Sequence, residues 1–557
     1  MAMIWHMAAL WETVAAAIPE ETAIINGAVR RSWAQYDDRA ARLAGALAAA
    51  GIGRETKVAV YGTNSNEYLE AHFALFKLRA VPVNVNFRYG AAELIYLLDN
   101  ADAEAVVFDA QFAAALGAIL PSLPKLRLLI QVDDGSGQRL DGAEDFEALI
   151  AAHAPAPSGA YVDDDLYMLY TGGTTGMPKG VMYPHSAVSQ ALMLGYDLRG
   201  APRPTSLQEL ADAVRRRRDE GTLPISLAAS PLMHGTGLWA GVFVAHNLGG
   251  AAVTIRADRF DADALWRVVE RERVSDLAIV GDVFATPMVA ALRAARDAGR
   301  PYDVSCIKSL FSSGVMFSAQ AKLGLLEFAD MTILDSMGAT EGGMASSIVT
   351  RATPVGATGV FQKNATTRVF TDDGREVTPG SDEIGMVANG GPAPIGYYKD
   401  PAKSAATFRV IDGHRYSFPG DYAKVAADGS LILLGDAATI EEDGTIAVLG
   451  RHSVCINTGG EKVYPEEVEE VLKTHPAVVD CVVVGVPDER FGESVAAVVS
   501  ATPGAVIDPA ALIAHARAHL AHYKAPRRIV VVDEVRRQPN AKADLKWAKA
   551  VAAGESV

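Results

Sequence analysis

Short strand-like runs alternate with alanine-rich stretches of helical spacing along most of this chain. Residues 36–50 place apolar side chains at the spacing of a half-buried helix, and residues 58–61 and 105–108 are short apolar runs. Residues 126–132 form a further candidate strand. Such alternation is typical of layered α/β folds with largely parallel strands. We therefore expect an α/β fold.

The length of the chain and the changes in its residue pattern predict more than one domain. A chain of 557 residues is too long for a single hydrophobic core. From about residue 356, short runs separated by Asp-Gly turns predict a small β-rich subdomain. After residue 451 an α+β pattern returns, with a helix predicted at 464–472 and a strand at 478–486. We place a domain boundary near residue 452.

Charge and cysteine content exclude several classes of protein. The formal net charge of -16 argues against nucleic acid or an anionic membrane as the main partner. The arginine run 215–218 is followed at once by acidic residues and is expected to be a solvated helix face. Cys306, Cys455 and Cys481 are too widely spaced to suggest a disulfide framework or a zinc site. Without a secretory signal or an apolar run of ~18 residues, we expect a cytoplasmic protein without a membrane span.

A glycine- and threonine-rich segment follows the apolar run 166–170. Residues 170–180 are YTGGTTGMPKG. Small residues let the backbone approach an anion closely, hydroxyls and amides can donate to phosphate oxygens, and Lys179 adds a positive charge. The segment is not a Walker A loop, because no Gly-Lys-Ser/Thr is present in it. We expect a phosphate-binding loop made by Thr171, Gly172, Gly173, Thr174, Thr175, Gly176 and Lys179.

At these residues the chain resembles the acyl-adenylate-forming superfamily, which includes acyl-CoA synthetases, aryl-CoA ligases, firefly luciferase and peptide-synthetase adenylation domains. The resemblance extends along nearly the whole chain. The loop, residues 84–89 (NVNFRY) and the segment around Asp335 look most like actinobacterial ligases for fatty-acyl and steroid side-chain acids. The resemblance implies an N-terminal AMP-binding domain, 1–452, which consists of two α/β subdomains and the small β-rich subdomain. It also implies a small mobile α+β domain, 453–557.

The segment 335–341 (DSMGATE) resembles the family segment whose Thr and Glu hold the nucleotide and magnesium. The resemblance makes Glu341 the expected Mg²⁺ ligand and places Thr340 beside the α-phosphate. Mg²⁺ commonly takes one or two carboxylates plus substrate phosphates. Met337 stands where the family usually has Tyr. The other expected nucleotide-binding residues here are Asp335, Ser336 and Gly338.

Two further segments resemble parts of the family's nucleoside pocket. Residues 312–316 match the adenine-lining stretch, in which Gly314 would allow close backbone approach. Residues 418–421 (FPGD) resemble the family's Thr-Gly-Asp motif, so Asp421 is expected to accept hydrogen bonds from the ribose hydroxyls. Arg451 corresponds to the arginine that also meets the ribose.

Residues 231–237 (PLMHGTG) contain the candidate acyl-site histidine. A single His is more often structural, but by resemblance His234 lies between the acyl pocket and the phosphates and is a candidate catalytic residue. Trp239 would shape the acyl side. Phe284 is expected near the same pocket.

The C-terminal part carries two motifs that the resemblance assigns to different steps. Residues 457–465 (NTGGEKVYP) resemble the loop that reaches the active site during thioester formation, where Gly459 and Gly460 would flank the pantetheine path. Residues 538–542 (QPNAK) resemble the ending that carries the catalytic lysine, so Lys542 is the candidate. The hinge between the two orientations is expected at Ser453.

The resemblance implies an ATP-dependent acid–CoA ligase that uses ATP, Mg²⁺ and coenzyme A. It would form an acyl-adenylate with release of pyrophosphate, then transfer the acyl group to CoA with release of AMP. We expect a hydrophobic substrate, either a medium- or long-chain fatty acid or a steroid side-chain acid. The alternatives are a stand-alone adenylation enzyme that loads a carrier protein, an aryl-CoA ligase, and a non-catalytic nucleotide-binding relative. The oligomeric state stays open, with a homodimer as one candidate.

Overall fold

The computed structural model is a mixed α/β structure, which confirms the predicted fold class. It describes residues 3–171, 177–257, 259–314, 317–353, 360–371, 373–434, 438–440, 446–448, 456–459, 461–463, 465–502, 504–536 and 544–555.

The first layer is a parallel sheet near the N-terminus. Because helices cover both of its faces, its strands are continuous apolar runs rather than alternating ones, which is why 58–61 and 105–108 could be recognised. The helices Trp33–Ala49 and Asn66–Lys77 pack on one face, and Ala91–Asn100 and Ala113–Ile119 on the other. The strand order is Val81–Asn84, Lys57–Tyr61, Ala103–Asp109, Leu128–Val132, Glu144–Asp145.

A longer mixed sheet carries most of the candidate site. Helices Ala262–Glu272, Gly281–Asp297 and Ala319–Leu326 bury one of its faces. Ligands of open α/β sheets bind beyond the carboxyl ends of the parallel strands. A ligand site is therefore expected among the residues that follow these strand ends. The antiparallel edge strand is Val29–Ser32, and the parallel part continues as Thr22–Asn26, Ala251–Thr254, Ile225–Ala228, Asp276–Ile279, Ser309–Ser313 and Thr332–Ala339.

The β-rich region predicted beyond residue 356 is present, but backbone hydrogen bonds join it to the same sheet. Val360–Lys363 pairs with Gly342–Val349 on one side and with Leu431–Leu434 on the other. The sheet therefore changes from parallel to antiparallel without a break. The remaining strands here are Tyr422–Val425, Gly385–Asn389, Thr367–Phe370, His414–Ser417 and Phe408–Ile411.

A smaller antiparallel sheet holds the ends of the glycine- and threonine-rich segment. Leu166–Thr171 pairs with Lys179–Pro184, which also pairs with Gly396–Tyr397. The predicted arginine-rich helix is Leu207–Asp219, whose apolar face packs on Met7–Ala17. The other helical segments are Ala110–Phe112, Leu120–Ser122, Phe146–Ala152, His185–Leu192, Leu194–Asp197, the π-helix Thr236–Phe243, Val244–Asn247 and Pro401–Thr407.

The C-terminal part forms a small α+β unit with its own apolar core. The predicted helix and strand are confirmed as Pro465–Lys473 and Val478–Asp488. Within the described ranges, no helix combines the length and apolarity that a membrane crossing requires. The unit also contains Ile456–Thr458, Glu461–Val463, Gly492–Ala501, Arg528–Val532, Pro509–His519 and Leu545–Ala553, and the short pair Ala438–Ile440 and Ile446–Val448 precedes it.

Candidate active site

A cavity of about 1410 Å³ is lined by residues that directly follow the parallel strands of the long sheet. Many of the residues predicted from the motifs meet there, although they come from distant parts of the sequence. They are Thr171, Lys179, His234, Trp239, Gly314, Asp335, Ser336, Met337, Gly338, Thr340, Glu341 and Asp421. Gly172, Gly173, Thr174, Thr175, Gly176, Arg451, Ser453, Gly460 and Lys542 lie outside the described residues.

A cation and a carboxylate face the same tyrosine in this cavity. The Tyr397 hydroxyl donates to Glu341 Oε1 at 2.5 Å, and Lys179 Nζ lies 5.8 Å from the centroid of the Tyr397 ring. Burial and the neighbouring Lys403 ammonium lower the pKa of Lys179. Burial and the Glu341 charge raise the pKa of Tyr397, so this hydroxyl remains a donor at neutral pH. Tyr397 was not found by sequence reasoning, because no motif pointed to it.

The donor set near Glu341 fits a magnesium ion that is bound mainly through phosphates. Within the described part of the chain, no cluster of three or more His, Cys, Asp or Glu side chains could hold a metal alone. Glu341 lines the cavity and presents a carboxylate. Mg²⁺ is often bound by one or two carboxylates with substrate phosphates and water completing its shell. Glu341 therefore suits such a metal only when a nucleotide is present.

The part of the cavity where the motifs predict the nucleoside contains Gly314 and Asp335. Gly314 has φ +99°, a conformation that favours glycine, directly after strand Ser309–Ser313. Asp335 is buried and forms an ion pair with Lys322, whose Nζ is 2.6 Å from Oδ2. Burial raises the pKa of the Asp335 carboxyl, and the Lys322 ammonium opposes that rise. The Asp335 carboxylate is thus engaged with Lys322 while its backbone continues the strand that leads to Thr340.

Asp421 lies in an exposed turn at the opposite wall. Gly420 before it has φ +111°, so the turn uses the left-handed region. The Asp421 carbonyl accepts from the Val387 N–H at 2.8 Å, which anchors the turn to strand Gly385–Asn389. This anchoring holds the Asp421 carboxylate at the cavity. Such a position is compatible with the predicted hydrogen bonds from the ribose hydroxyls.

His234 contacts a glutamate from the C-terminal part of the chain. His234 Nε2 is 3.3 Å from Glu461 Oε1, and Arg88 Nη1 is 2.6 Å from the same oxygen. Asn86 Nδ2 lies 3.3 Å from Glu461 Oε2. The Glu461 side chain is only 8% exposed. Burial alone would raise the pKa of Glu461, but the charges and hydrogen bonds of His234 and Arg88 lower it to about 2.

The sequence motifs contained both charged partners of this network, but not their pairing. Glu461 directly follows the segment of Gly459 and Gly460, and Arg88 belongs to residues 84–89. A second contact joins the same parts of the chain: the buried Lys524 ammonium lies 2.5 Å from Glu93 Oε1 and 2.9 Å from Glu467 Oε1. The C-terminal unit thus meets the N-terminal part through two groups of charges, each centred on a buried side chain, Glu461 in one and Lys524 in the other.

Asn84 connects the phosphate-loop strand to the His234 segment. Its Nδ2 donates to the carbonyls of Tyr170 at 2.8 Å and Met233 at 2.6 Å. Its Oδ1 accepts from the Tyr170 N–H at 2.6 Å. Asn84 is buried, so all of these bonds are shielded from water. This residue fixes two walls of the cavity relative to each other; it belongs to the motif 84–89, but the sequence prediction gave it no role of its own.

An apolar arm of the cavity extends away from His234. Trp239 lies in the π-helix, and its Nε1 donates to the Tyr167 hydroxyl at 2.9 Å, which fixes the indole at the entrance. Small and aliphatic side chains continue the arm. They are Ala187, Val188, Ala191, Leu192, Leu194, Ala240, Val244, Ala245 and Leu248.

Phe284 is not among the residues that line this cavity. It is buried in the core that the helix Gly281–Asp297 forms against the sheet. Its ring lies 4.6 Å from that of Phe260, centroid to centroid. The expectation that Phe284 borders the acyl pocket therefore has no support in the geometry, because its helix turns this ring toward the core.

Comparison with known proteins agrees with this arrangement. Residues 11–398 match the family described as AMP-binding enzyme, and residues 467–542 match the AMP-binding enzyme C-terminal domain. The chain belongs to the AMP-binding enzyme family. The predicted membership of the adenylate-forming superfamily is thereby confirmed.

Two relatives cover almost the whole chain. A medium/long-chain-fatty-acid–CoA and 3-oxocholest-4-en-26-oate–CoA ligase of Mycobacterium tuberculosis is 40% identical, covering 99% of this chain and 96% of the relative. A 3-oxocholest-4-en-26-oate–CoA ligase of Rhodococcus rhodochrous is 38% identical, covering 98% and 96%. Among solved structures, the amide bond synthetase McbA from Marinactinospora thermotolerans has the same fold, with a TM-score of 0.74, 22% identity and 99% of both chains covered.

Proposed function

We propose that this protein is an AMP-forming acid–CoA ligase for hydrophobic carboxylic acids. The observation that carries the proposal is one cavity whose lining combines Lys179, Thr340 and Glu341 with the apolar arm, His234 and Trp239. A charged region for phosphates and an apolar region for an acyl chain meet at one point. A reaction between a carboxylate and the α-phosphate of ATP requires this arrangement.

In the first half-reaction, an oxygen of the substrate carboxylate attacks the α-phosphorus of ATP, and pyrophosphate leaves. Lys179 and Lys542 are proposed to neutralise the charge that develops on the phosphate oxygens. Thr340 is proposed to donate to the α-phosphate, and Asp421 and Arg451 to hold the ribose. Glu341 would hold Mg²⁺, which supplies charge neutralisation when bound. The remaining contribution of the protein is to position the two reactants.

In the second half-reaction, the thiol of CoA attacks the carbonyl carbon of the acyl-adenylate, and AMP leaves. Gly459 and Gly460 are proposed to border the path of the thiol-bearing arm. We propose that residues 453–557 change orientation between the half-reactions about a hinge at Ser453, relative to residues 1–452. The contact between Glu461 and His234 supports separate orientations for the two half-reactions. Gly459 is two residues from Glu461 and is therefore close to the cavity in this orientation, whereas Lys542 belongs to another segment of the chain.

Hydrophobic acids are the proposed substrates, because the arm beyond Trp239 is lined mainly by Ala, Val and Leu. The two relatives act on fatty acids or a steroid side-chain acid, according to their names. We therefore propose medium- and long-chain fatty acids and steroid side-chain acids, activated in the cytoplasm. Efficient turnover of acetate with no gain for larger apolar acids would contradict this choice.

The products decide between the candidate functions. Incubation with ATP, Mg²⁺ and a fatty acid should release pyrophosphate, and AMP should accumulate catalytically when CoA is added. ADP as the main product would overturn the ligase mechanism, and equal AMP release with and without CoA would indicate another acceptor. Glu341→Gln should slow pyrophosphate release roughly 100-fold, whereas Glu376→Gln, an exposed carboxylate outside the cavity, should not.

A further inference from the structure

The apolar arm ends at a polar mouth on the far side of the cavity. Asp276 begins the strand Asp276–Ile279 and Val280 directly follows it, and both residues line the cavity. Four residue steps at about 3.3 Å each mean that the cavity extends ~13 Å along that strand. A long acid whose carboxylate lies at the phosphates therefore extends past the apolar wall to this mouth, whereas a shorter acid such as octanoate ends within the arm.

Two ion pairs form the mouth. Arg199 Nη2 lies 2.7 Å from Asp276 Oδ1, and Arg203 is paired with Asp197. All four residues line the cavity. Each arginine is matched by an aspartate, so the four residues of the mouth together carry no net charge. It therefore offers little attraction to a second carboxylate, but it presents N–H donors to a neutral acceptor.

Arg199 is held in place and keeps donors for a ligand. Its side chain is 28% exposed, and that of Asp276 is 14% exposed. The contacts that the described part of the chain makes with the guanidinium use Nη2 toward Asp276 and Nη1 toward the Gly195 carbonyl at 3.3 Å. A guanidinium has five N–H donors in a fixed plane. The exposed Leu198 beside it also lines the cavity and offers an apolar support for a ligand.

Asp276 is fixed independently of Arg199. The hydroxyls of Ser275 and Ser309 donate to its two oxygens at 2.6 and 2.5 Å. Loss of the arginine therefore leaves the carboxylate with hydrogen-bond partners, and substitution of Arg199 should not prevent folding.

We propose that this mouth is a subsite for a carbonyl oxygen at the distal end of the substrate, with Arg199 as the donor. The preferred substrate is then an extended apolar acid that carries a neutral keto group far from its carboxylate, such as an oxo-steroid acid or a long oxo-fatty acid. An unsubstituted alkyl end would instead be placed against the ion pair, where the polar groups lose water without a replacement. This inference rests on the proposed function.

The test compares kcat/KM for paired acids that differ only at the distal end. One pair is 3-oxocholest-4-en-26-oate and its 3-deoxy analogue; the other is hexadecanoate and its (ω-1)-oxo derivative. The protein should prefer the oxo acid roughly 10-fold in at least one pair, and the pair that shows the preference identifies the source of the keto group. Arg199→Met should reduce this ratio to near one, and Arg199→Lys should give an intermediate ratio.

Two controls separate this effect from misfolding and from failure of the ligase proposal. Activity on octanoate should be unchanged in Arg199→Met, which reports a folded enzyme. Arg215→Met removes a comparable arginine, paired with Asp212 at 3.2 Å on an exposed helix outside the cavity, and should leave every ratio unchanged. The subsite would be overturned if the unmodified protein gave a kcat/KM ratio near one for both pairs. It would also be overturned if the ratio survived Arg199→Met, or if the protein preferred a dicarboxylic acid. Absence of pyrophosphate release with every acid would instead overturn the proposed function.

Discussion

Replacement of Glu461 by Gln should slow thioester formation much more than adenylate formation. The carboxylate accepts from Arg88 at 2.6 Å and lies 3.3 Å from His234 Nε2, and both partners belong to the N-terminal part of the chain. The glutamine keeps the size and some hydrogen bonding of the side chain but removes its charge. The contact therefore weakens in the one orientation of the C-terminal unit that brings Glu461 to the cavity.

The size of the effect follows from the exposure of the partners. A hydrogen bond to a charged group contributes about 1.5–3 kcal/mol when shielded, but exposed ion pairs contribute less than ~1 kcal/mol. Glu461 is buried, whereas the side chains of Arg88 and His234 are 36% and 35% exposed. We therefore assign about 2 kcal/mol to both contacts together, which corresponds to roughly 30-fold in the equilibrium between orientations.

Single-turnover measurements separate the two half-reactions. Pyrophosphate release without CoA reports adenylation, and CoA thioester formation from supplied acyl-adenylate reports transfer. Glu461→Gln should slow transfer by up to roughly 30-fold and leave adenylation within about twofold. Glu489→Gln, an exposed glutamate of the same unit, should affect neither. Equal slowing of both half-reactions, or no change in transfer, would refute the assignment of this orientation to the thioester step.

Three further outcomes follow from the same residues. Lys542→Ala should nearly abolish adenylate formation yet spare transfer from supplied acyl-adenylate; equal loss in both half-reactions of a folded protein would exclude alternating orientations. Phe284→Ala should lower the free energy of unfolding by about 3–5 kcal/mol, because it empties a core position, while the KM for the acid stays unchanged in steady-state assays. The pKa of Glu461 is lowered to about 2, so its stabilisation of the docked orientation is complete above pH ~4.5 and is lost only as the pH falls toward ~2. The Glu461 carboxylate itself should therefore add no transition to the pH profile of transfer above pH ~4.5; a transition at pH ~5 that the unmodified protein shows and Glu461→Gln lacks would contradict this.

Local patterns predicted the elements of the fold where burial is continuous. The strand Lys57–Tyr61 and the helix Trp33–Ala49 follow from apolar runs and helical spacing, since both are packed on a buried face. Phe284 shows the limit of such reasoning. An aromatic residue on the buried face of a helix has the same local pattern whether it meets a core or a ligand pocket. Only the place of Phe284 in the core between helix and sheet, outside the cavity lining, distinguishes the two.

Motifs located many of the residues that line the cavity, but not the side chains that orient them. Tyr397 donates to Glu341 across 56 positions of sequence, and Glu461 meets His234 across 227. Neither pairing has a local spacing from which it could be recognised. The glycines of the segment 457–465 predicted that its backbone approaches the active site. The role of Glu461 in the same segment could be recognised only from its contact with Arg88.

The contacts of residues 84–93 suggest why docking of the C-terminal unit and the shape of the cavity belong together. Asn84 bonds the strand that leads into the phosphate loop and the carbonyl next to His234. Two residues later Asn86 begins the contacts with Glu461, and Glu93 then binds Lys524. Because these positions lie within one short stretch of backbone, docking of the C-terminal unit and the placement of the two walls depend on the same segment. We propose that the C-terminal unit thereby influences the geometry around the site proposed for the reacting carbonyl, although none of the arm residues belongs to that unit.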